Sequence, residues 1–154
     1  MKLSPFFVIL IIVLGCHPAR VFQVECNSVS TDAIYSVDLT VESKKELADL
    51  GPVKLDALDG VLFRGITGNN CVAQKPMLSQ AKTEISNNQL IHAIYGKRKE
   101  YDRYITHISR IGKSPLTNKS KPTSQFKYRI NINKNLLRQD LTNAGLLKPL
   151  NSGF

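Results

Sequence analysis

The sequence predicts an α+β fold, with one N-terminal helix packed on an antiparallel β-sheet and a C-terminal helical extension. Three observations carry this. Apolar residues recur near helical spacing after Asp32, several short apolar runs follow between turn residues, and apolar and polar residues alternate strictly over 126–132.

Taken in order, Ser30 or Thr31 can cap a helix beginning at Asp32. Ala33, Ile34, Val37 and Val41 then supply its apolar stripe, and Gly51-Pro52 ends it. The short runs at 61–63, 90–95 and 104–111 read as strands. The clearest strand is 126–132, where Phe126, Tyr128, Ile130 and Ile132 take one face and Lys127, Arg129 and Asn131 the other. A last helix is expected over 135–143, with Gly145 placed to terminate it. Residues 114–125 read as a polar loop, and the sequence shows no internal repeat.

Ahead of these elements stands a secretory leader, assigned to residues 1–20. Lys2 gives the positive start, Phe6 to Leu14 an unbroken apolar run, and Gly15 opens a cleavage zone. The run is too short to span a bilayer, so no membrane attachment is expected after cleavage. Val13-Leu14-Gly15-Cys16 also resembles a bacterial lipoprotein box with Cys16 as the lipidated residue, and that reading stays open. The remaining residues divide into a domain over 21–132 and an extension over 133–154.

Removal of the leader leaves Cys26 and Cys71, which in an oxidising route are most simply a disulfide. Two separate buried thiols are the alternative. His92 and His107 have no cysteine or histidine partner at metal-ligand spacing, so neither a metal nor another cofactor is expected.

The formal charge is +9, and it is unevenly spread. Residues 21–96 carry 6 basic and 9 acidic side chains, whereas residues 97–154 carry 13 basic and 3 acidic ones. Tyr101, Tyr104, Phe126 and Tyr128 lie among those lysines and arginines. Cations interleaved with aromatic rings can follow a phosphate backbone and stack on unpaired bases. Lys97, Arg98, Lys99, Arg103, Lys127 and Arg129 are the expected RNA- and phosphate-binding residues. The competing reading is a surface charge that serves solubility, with the aromatics in the core.

The run Asp102-Arg103-Tyr104-Ile105, followed by Leu116-Thr117-Asn118 and then Phe126, resembles the C-terminal half of the fungal guanyl-specific ribonucleases. That family has an Asp-Arg pair on a strand, then Ile-Thr-His, then Phe. Upstream, Tyr95 stands where the family has a Tyr before a Gly-rich loop. Gln89-Leu90-Ile91 is similar to its Glu-Trp/Phe-Pro-Ile strand, and Asp59-Gly60-Val61-Leu62-Phe63 to its Tyr-Pro-His-x-Phe/Tyr. The resemblance spans 22–129 and implies a microbial ribonuclease-like fold.

It also implies what has been lost. Such enzymes use a Glu and a His to take the proton of the ribose 2′-OH, a second His to protonate the leaving oxygen, and an Arg to steady the phosphoryl charge. Arg103 keeps the Arg role. The other positions fall on Gln89, Val61 and Asn118, none of which exchanges a proton near neutral pH. No catalytic residue is therefore expected. His92 and His107 are weak substitutes, on an apolar run and two residues after Ile105. The family's later cysteine position is Arg129 here, so the Cys26–Cys71 pairing comes from counting cysteines and not from the family. Asn118-Lys119-Ser120 is a glycosylation sequon on the former acid position.

Secreted, ribonuclease-shaped chains without catalytic residues resemble the RNase-like effectors of powdery mildew fungi. Phe22 ahead of Cys26 fits their aromatic-x-Cys start loosely, because Val24 occupies the aromatic position itself. That resemblance implies a non-catalytic virulence effector, a pseudoenzyme with host RNA or host proteins as partners. An active secreted ribonuclease and the Cys16 lipoprotein are the rival readings.

Overall fold

The protein is described here from a computed structural model, which describes residues 22–27, 33–68, 71–116 and 123–148. The expected leader with Cys16 and the Asn118 sequon lie outside those residues. Strand β1 (Phe22–Cys26) is followed by β2 (Ile34–Ser43), helix α1 (Gly51–Asp59) and a π-helical turn (Gly60–Arg64). Helix α2 (Gln89–Tyr95), a 3₁₀ turn (Glu100–Tyr104), β3 (Ile105–Leu116), β4 (Thr123–Asn133) and α3 (Lys134–Asn143) complete the chain. The four strands form one antiparallel sheet in the order β1-β2-β4-β3. The fold is mixed α+β, as the sequence predicts, but several elements differ from expectation.

The helix expected from Asp32 is strand β2. Tyr35, Val37, Leu39 and Val41 are buried, and polar Ser36, Asp38, Thr40 and Glu42 alternate with them. That is the period of a sheet with one face in the core. Pairing with β1 on one side and β4 on the other decides the matter, because an interior strand satisfies its backbone on both edges. Gly51-Pro52 opens α1 instead of ending a helix. Proline in a first helical turn lacks an N–H that would have had no partner there.

Two expected strands are helical. Residues 61–63 lie in the π turn, which buries Val61 and Leu62. Residues 90–95 lie in α2, whose Asn88 cap accepts a hydrogen bond from the Leu90 N–H at 3.0 Å. Ile91 and Ile94, three residues apart, put one face of α2 in the core. The run at 104–111 begins in the 3₁₀ turn and enters β3 at Ile105. β3 has register shifts between Ile105 and His107 and between Arg110 and Gly112.

The strand at 126–132 and the last helix appear where expected. Phe126, Tyr128, Ile130 and Ile132 are buried, and Lys127, Arg129 and Asn131 lie on the other face. Asn133 caps α3 by accepting the Leu136 N–H at 3.0 Å. Gly145 follows with φ 72°, a conformation costly for residues with a Cβ. Leu137 and Leu141 are fully buried, so the C-terminal helix packs into the same core as the sheet.

A Cys26–Cys71 disulfide, with Cα atoms 6.1 Å apart, ties the end of β1 to the connection before α2. Beside it the Cys26 N–H donates to the Thr67 carbonyl at 3.1 Å. Among the described residues no helix is long and apolar enough to cross a membrane.

Candidate nucleic-acid interface

Helix α2 turns Ile91 and Ile94 into the core and leaves Gln89 and His92 exposed, with Ala93 half-buried. Gly96 ends it tightly. Its N–H donates to the His92 carbonyl at 2.8 Å, and a Cβ there would lie 2.3 Å from that oxygen. The chain then exposes Lys97, Arg98 and Lys99, the last with a left-handed φ of 54°. It re-enters the core at Tyr101 and Tyr104 of the 3₁₀ turn.

This path leaves two clefts on the exposed side of α2. One, of about 780 Å³, is lined by Ser86, Asn87, His92, Lys97 and Arg98 among others, with no carboxylate among the described residues that line it. The other, of about 540 Å³, is lined by Arg98 and Arg103 together with Glu100, Asp140 and Asn143. Gln89, Ala93 and Arg98 border both.

The cations differ in how far they are engaged. Arg103 Nη2 lies 3.1 Å from Asp140 Oδ2, which also accepts the Tyr104 hydroxyl at 2.8 Å. Burial, then the hydrogen bond to Asp140, pushes the Tyr104 hydroxyl pKa well above its ordinary value. Arg98 is 82% exposed and 3.9 Å from Glu100, a loose contact that solvent screens. Lys97 and Lys99 have no carboxylate partner within 4 Å among the described residues.

Lys127 and Arg129 stand elsewhere. They lie on the face of β4 turned away from the core into which α2 packs. Arg129 makes a two-point ion pair with Asp38, and Lys127 lies 3.2 Å from Glu25. The six expected cations therefore separate into a group at α2 and the 3₁₀ turn and a paired group on the outer sheet face.

Of the positions where the resemblance implies lost catalytic groups, Gln89 is exposed at both clefts and Val61 is buried in the π turn. Asn118 lies outside the described residues. His92 borders the larger cleft, whereas His107 is exposed on β3 opposite Asn131. Among the described residues no three His, Cys, Asp or Glu side chains gather as metal ligands would.

Asp140 is the site residue that sequence reasoning missed. Its signal was its rarity, as one of 3 acids in residues 97–154. A second missed cluster anchors α2: Asp59 accepts from Lys82 at 2.8 Å and from the Tyr95 hydroxyl at 3.2 Å. The Lys82 ammonium also lies 3.5 Å from the Tyr95 ring centroid. Burial first, then Asp59, pushes the Tyr95 hydroxyl pKa upward.

No known protein family, curated protein or solved structure matches the chain.

Proposed function

We propose that the chain is a secreted, non-catalytic, ribonuclease-like effector that acts in a host by binding RNA through the exposed side of α2. The observation that carries this reading is the exposure of Lys97 and Arg98 at the larger cleft, with Lys99 beside them and Arg103, paired with Asp140, at the adjoining one. Cations on a concave surface focus their field on an anionic ligand. The Cys26–Cys71 disulfide fits an extracellular route. Gln89 and Val61, at two positions where the resemblance implies proton-transfer groups, supply no such group.

Two assays on the leaderless, oxidised protein test the reading. Incubated with total RNA and with guanosine-containing dinucleotides, it should cleave neither. Cleavage that disappears in Arg103→Ala would make it an enzyme. In anisotropy titrations RNA should bind weakly and without sequence preference, with log affinity falling against log salt by roughly 0.7 per phosphate contact. Absence of binding at low salt would move the basic surface to another partner, such as an acidic host protein.

A further inference from the structure

Asp59, Phe63 and Tyr95 stand on helical elements whose apolar sides lie in the core. Asp59 ends α1, Phe63 follows buried Val61 and Leu62 in the π turn, and Tyr95 ends α2 directly after buried Ile94. Such π turns are rare and recur at functional sites. The Phe63 and Tyr95 rings, both partly exposed, have centroids 6.4 Å apart and planes tilted by 44°. Asp59 is fixed beside them, because its Oδ2 lies 3.3 Å from Arg64 Nη2 and its Oδ1 accepts the Tyr95 hydroxyl at 3.2 Å. One ammonium sits among all three side chains, that of Lys82. Its Nζ lies 2.8 Å from Asp59 Oδ1, 3.5 Å from the Tyr95 centroid and 5.8 Å from the Phe63 centroid. Aromatic faces joined by a carboxylate are what an ammonium ligand needs.

Lys82 itself comes from a different kind of segment. Residues 79–84 are all exposed, between buried Leu78 and Ile85. Among the described residues, the other hydrogen bonds of 79–84 stay within 81–86, joining Ala81 to Glu84 and Thr83 to Ser86. The Lys82 head group is therefore the polar tie from this segment to the helical body. It can withdraw and leave Asp59, Phe63 and Tyr95 in place, since each is held by its own helix or turn.

We propose that Asp59, Phe63 and Tyr95 form a binding site for a primary alkylammonium group, which Lys82 occupies as the chain's own stand-in until an external amine replaces it. The site is separate from the basic clefts, whose linings include none of these residues, and it does not depend on RNA binding. It lies in the half of the chain, residues 21–96, where 9 acids outnumber 6 bases. Asp59 Oδ1 takes an N–H donor, so a quaternary ammonium meets only the rings and binds less well. Lys82 weakens external binding in proportion to its own occupancy, and nine-tenths occupancy corresponds to about a tenfold effect.

The experiment titrates the leaderless, disulfide-bonded protein with n-butylammonium, which carries the four carbons and head group of a lysine side chain. Wild type, Lys82→Ala and Lys82→Ser are compared, with potassium chloride at equal ionic strength as control. Ring proton shifts of Phe63 and Tyr95 and thermal stability are recorded. Butylammonium should shift both rings saturably and raise the stability of either Lys82 variant, with affinity about tenfold or more above wild type. Tetramethylammonium should bind the variants more weakly, and adding Asp59→Asn should remove butylammonium binding. N-acetyl-lysine methylamide binding more tightly than cadaverine would name a protein lysine as the source of the amine, and the reverse order a free diamine. Unmoved rings in a folded Lys82 variant, or equal affinity in wild type and variants, would reduce the cluster to an internal clamp and overturn the proposal, whatever the outcome with RNA. If neither variant folds, wild type decides: ring shifts that saturate with butylammonium but not with potassium support the site, and unchanged rings overturn it.

Discussion

Asp38 and Arg129 face each other across the β2–β4 pair and join in a two-point ion pair, Nε to Oδ1 at 2.9 Å and Nη2 to Oδ2 at 3.0 Å. Asp38 is buried, and Asn27 Nδ2 donates to it as well, at 3.3 Å. The hydrogen bonds to Asp38 raise the Arg129 pKa above its ordinary value, so the guanidinium stays charged at any physiological pH. A planar guanidinium held at both ends is a structural clamp between neighbouring strands.

Removing that clamp should affect stability and not RNA binding. Arg129→Ala leaves a buried carboxylate with weaker partners, at a cost of about 1–3 kcal/mol in denaturant unfolding. Its affinity for RNA should stay within about twofold of wild type, whereas Arg98→Ala should weaken RNA binding with little change in stability. Anisotropy and urea titrations on the two variants check this. A larger loss of affinity in Arg129→Ala would return the outer sheet face to the binding surface.

The Cys26–Cys71 bond closes a loop of 45 residues. Chain-entropy arguments give such a crosslink about 4 kcal/mol, so Cys71→Ser should lower the unfolding free energy by a few kcal/mol. Peptide mapping without reduction should recover Cys26 and Cys71 in one linked fragment from the oxidised protein.

Alkaline pH should destabilise the fold through its tyrosines. Tyr35, Tyr95, Tyr104 and Tyr128 all have hydroxyl pKa values raised in the folded state, in each case chiefly by burial. Above about pH 10 the unfolded chain loses these protons while the folded chain keeps them. The unfolded state then binds fewer protons, and stability falls as pH rises. The contribution is complete below pH 10 and is lost as pH climbs toward the raised values. Tyr104→Phe should cost about 1–3 kcal/mol at neutral pH, where it removes a hydrogen bond to a carboxylate. It should also make the alkaline decline shallower, as read by denaturation curves between pH 8 and 11.

Gly96→Ala should disturb the larger cleft directly. Its new Cβ would lie 2.3 Å from the His92 carbonyl oxygen, so the turn that presents Lys97 and Arg98 must shift. A stability loss of about 1–3 kcal/mol and weaker RNA binding are expected together, measured by thermal unfolding and anisotropy.

How legible the chain was depended on where each residue's partners lay. Strand β4 and helix α3 could be read directly, because each shows its own period and α3 has its terminator in adjacent residues. Their burial follows the pattern of Phe126, Tyr128, Ile130 and Ile132 and of Leu137 and Leu141. The misread segment at 34–43 held both signals. Ala33, Ile34, Val37 and Val41 approximate a helix, while Tyr35, Val37, Leu39 and Val41 alternate with polar residues as a strand does. Local sequence did not separate the two; pairing with β1 and β4, brought from far along the chain, did. Helix α2 was misread for a related reason, since a short apolar run fits either period until its packing is known.

The basic surface divides the same way. Sequence by itself determined the excess of cations after Lys97, the two cysteines and the amide at position 89. Only the tertiary structure decided which cations are committed to ion pairs. Charge is a property of each side chain, but its availability depends on neighbours that are remote in sequence. Asp38 takes Arg129 from 91 residues away, and Asp140 takes Arg103. Lys97 meets no carboxylate among the described residues and remains with Arg98 at the rim of the larger cleft.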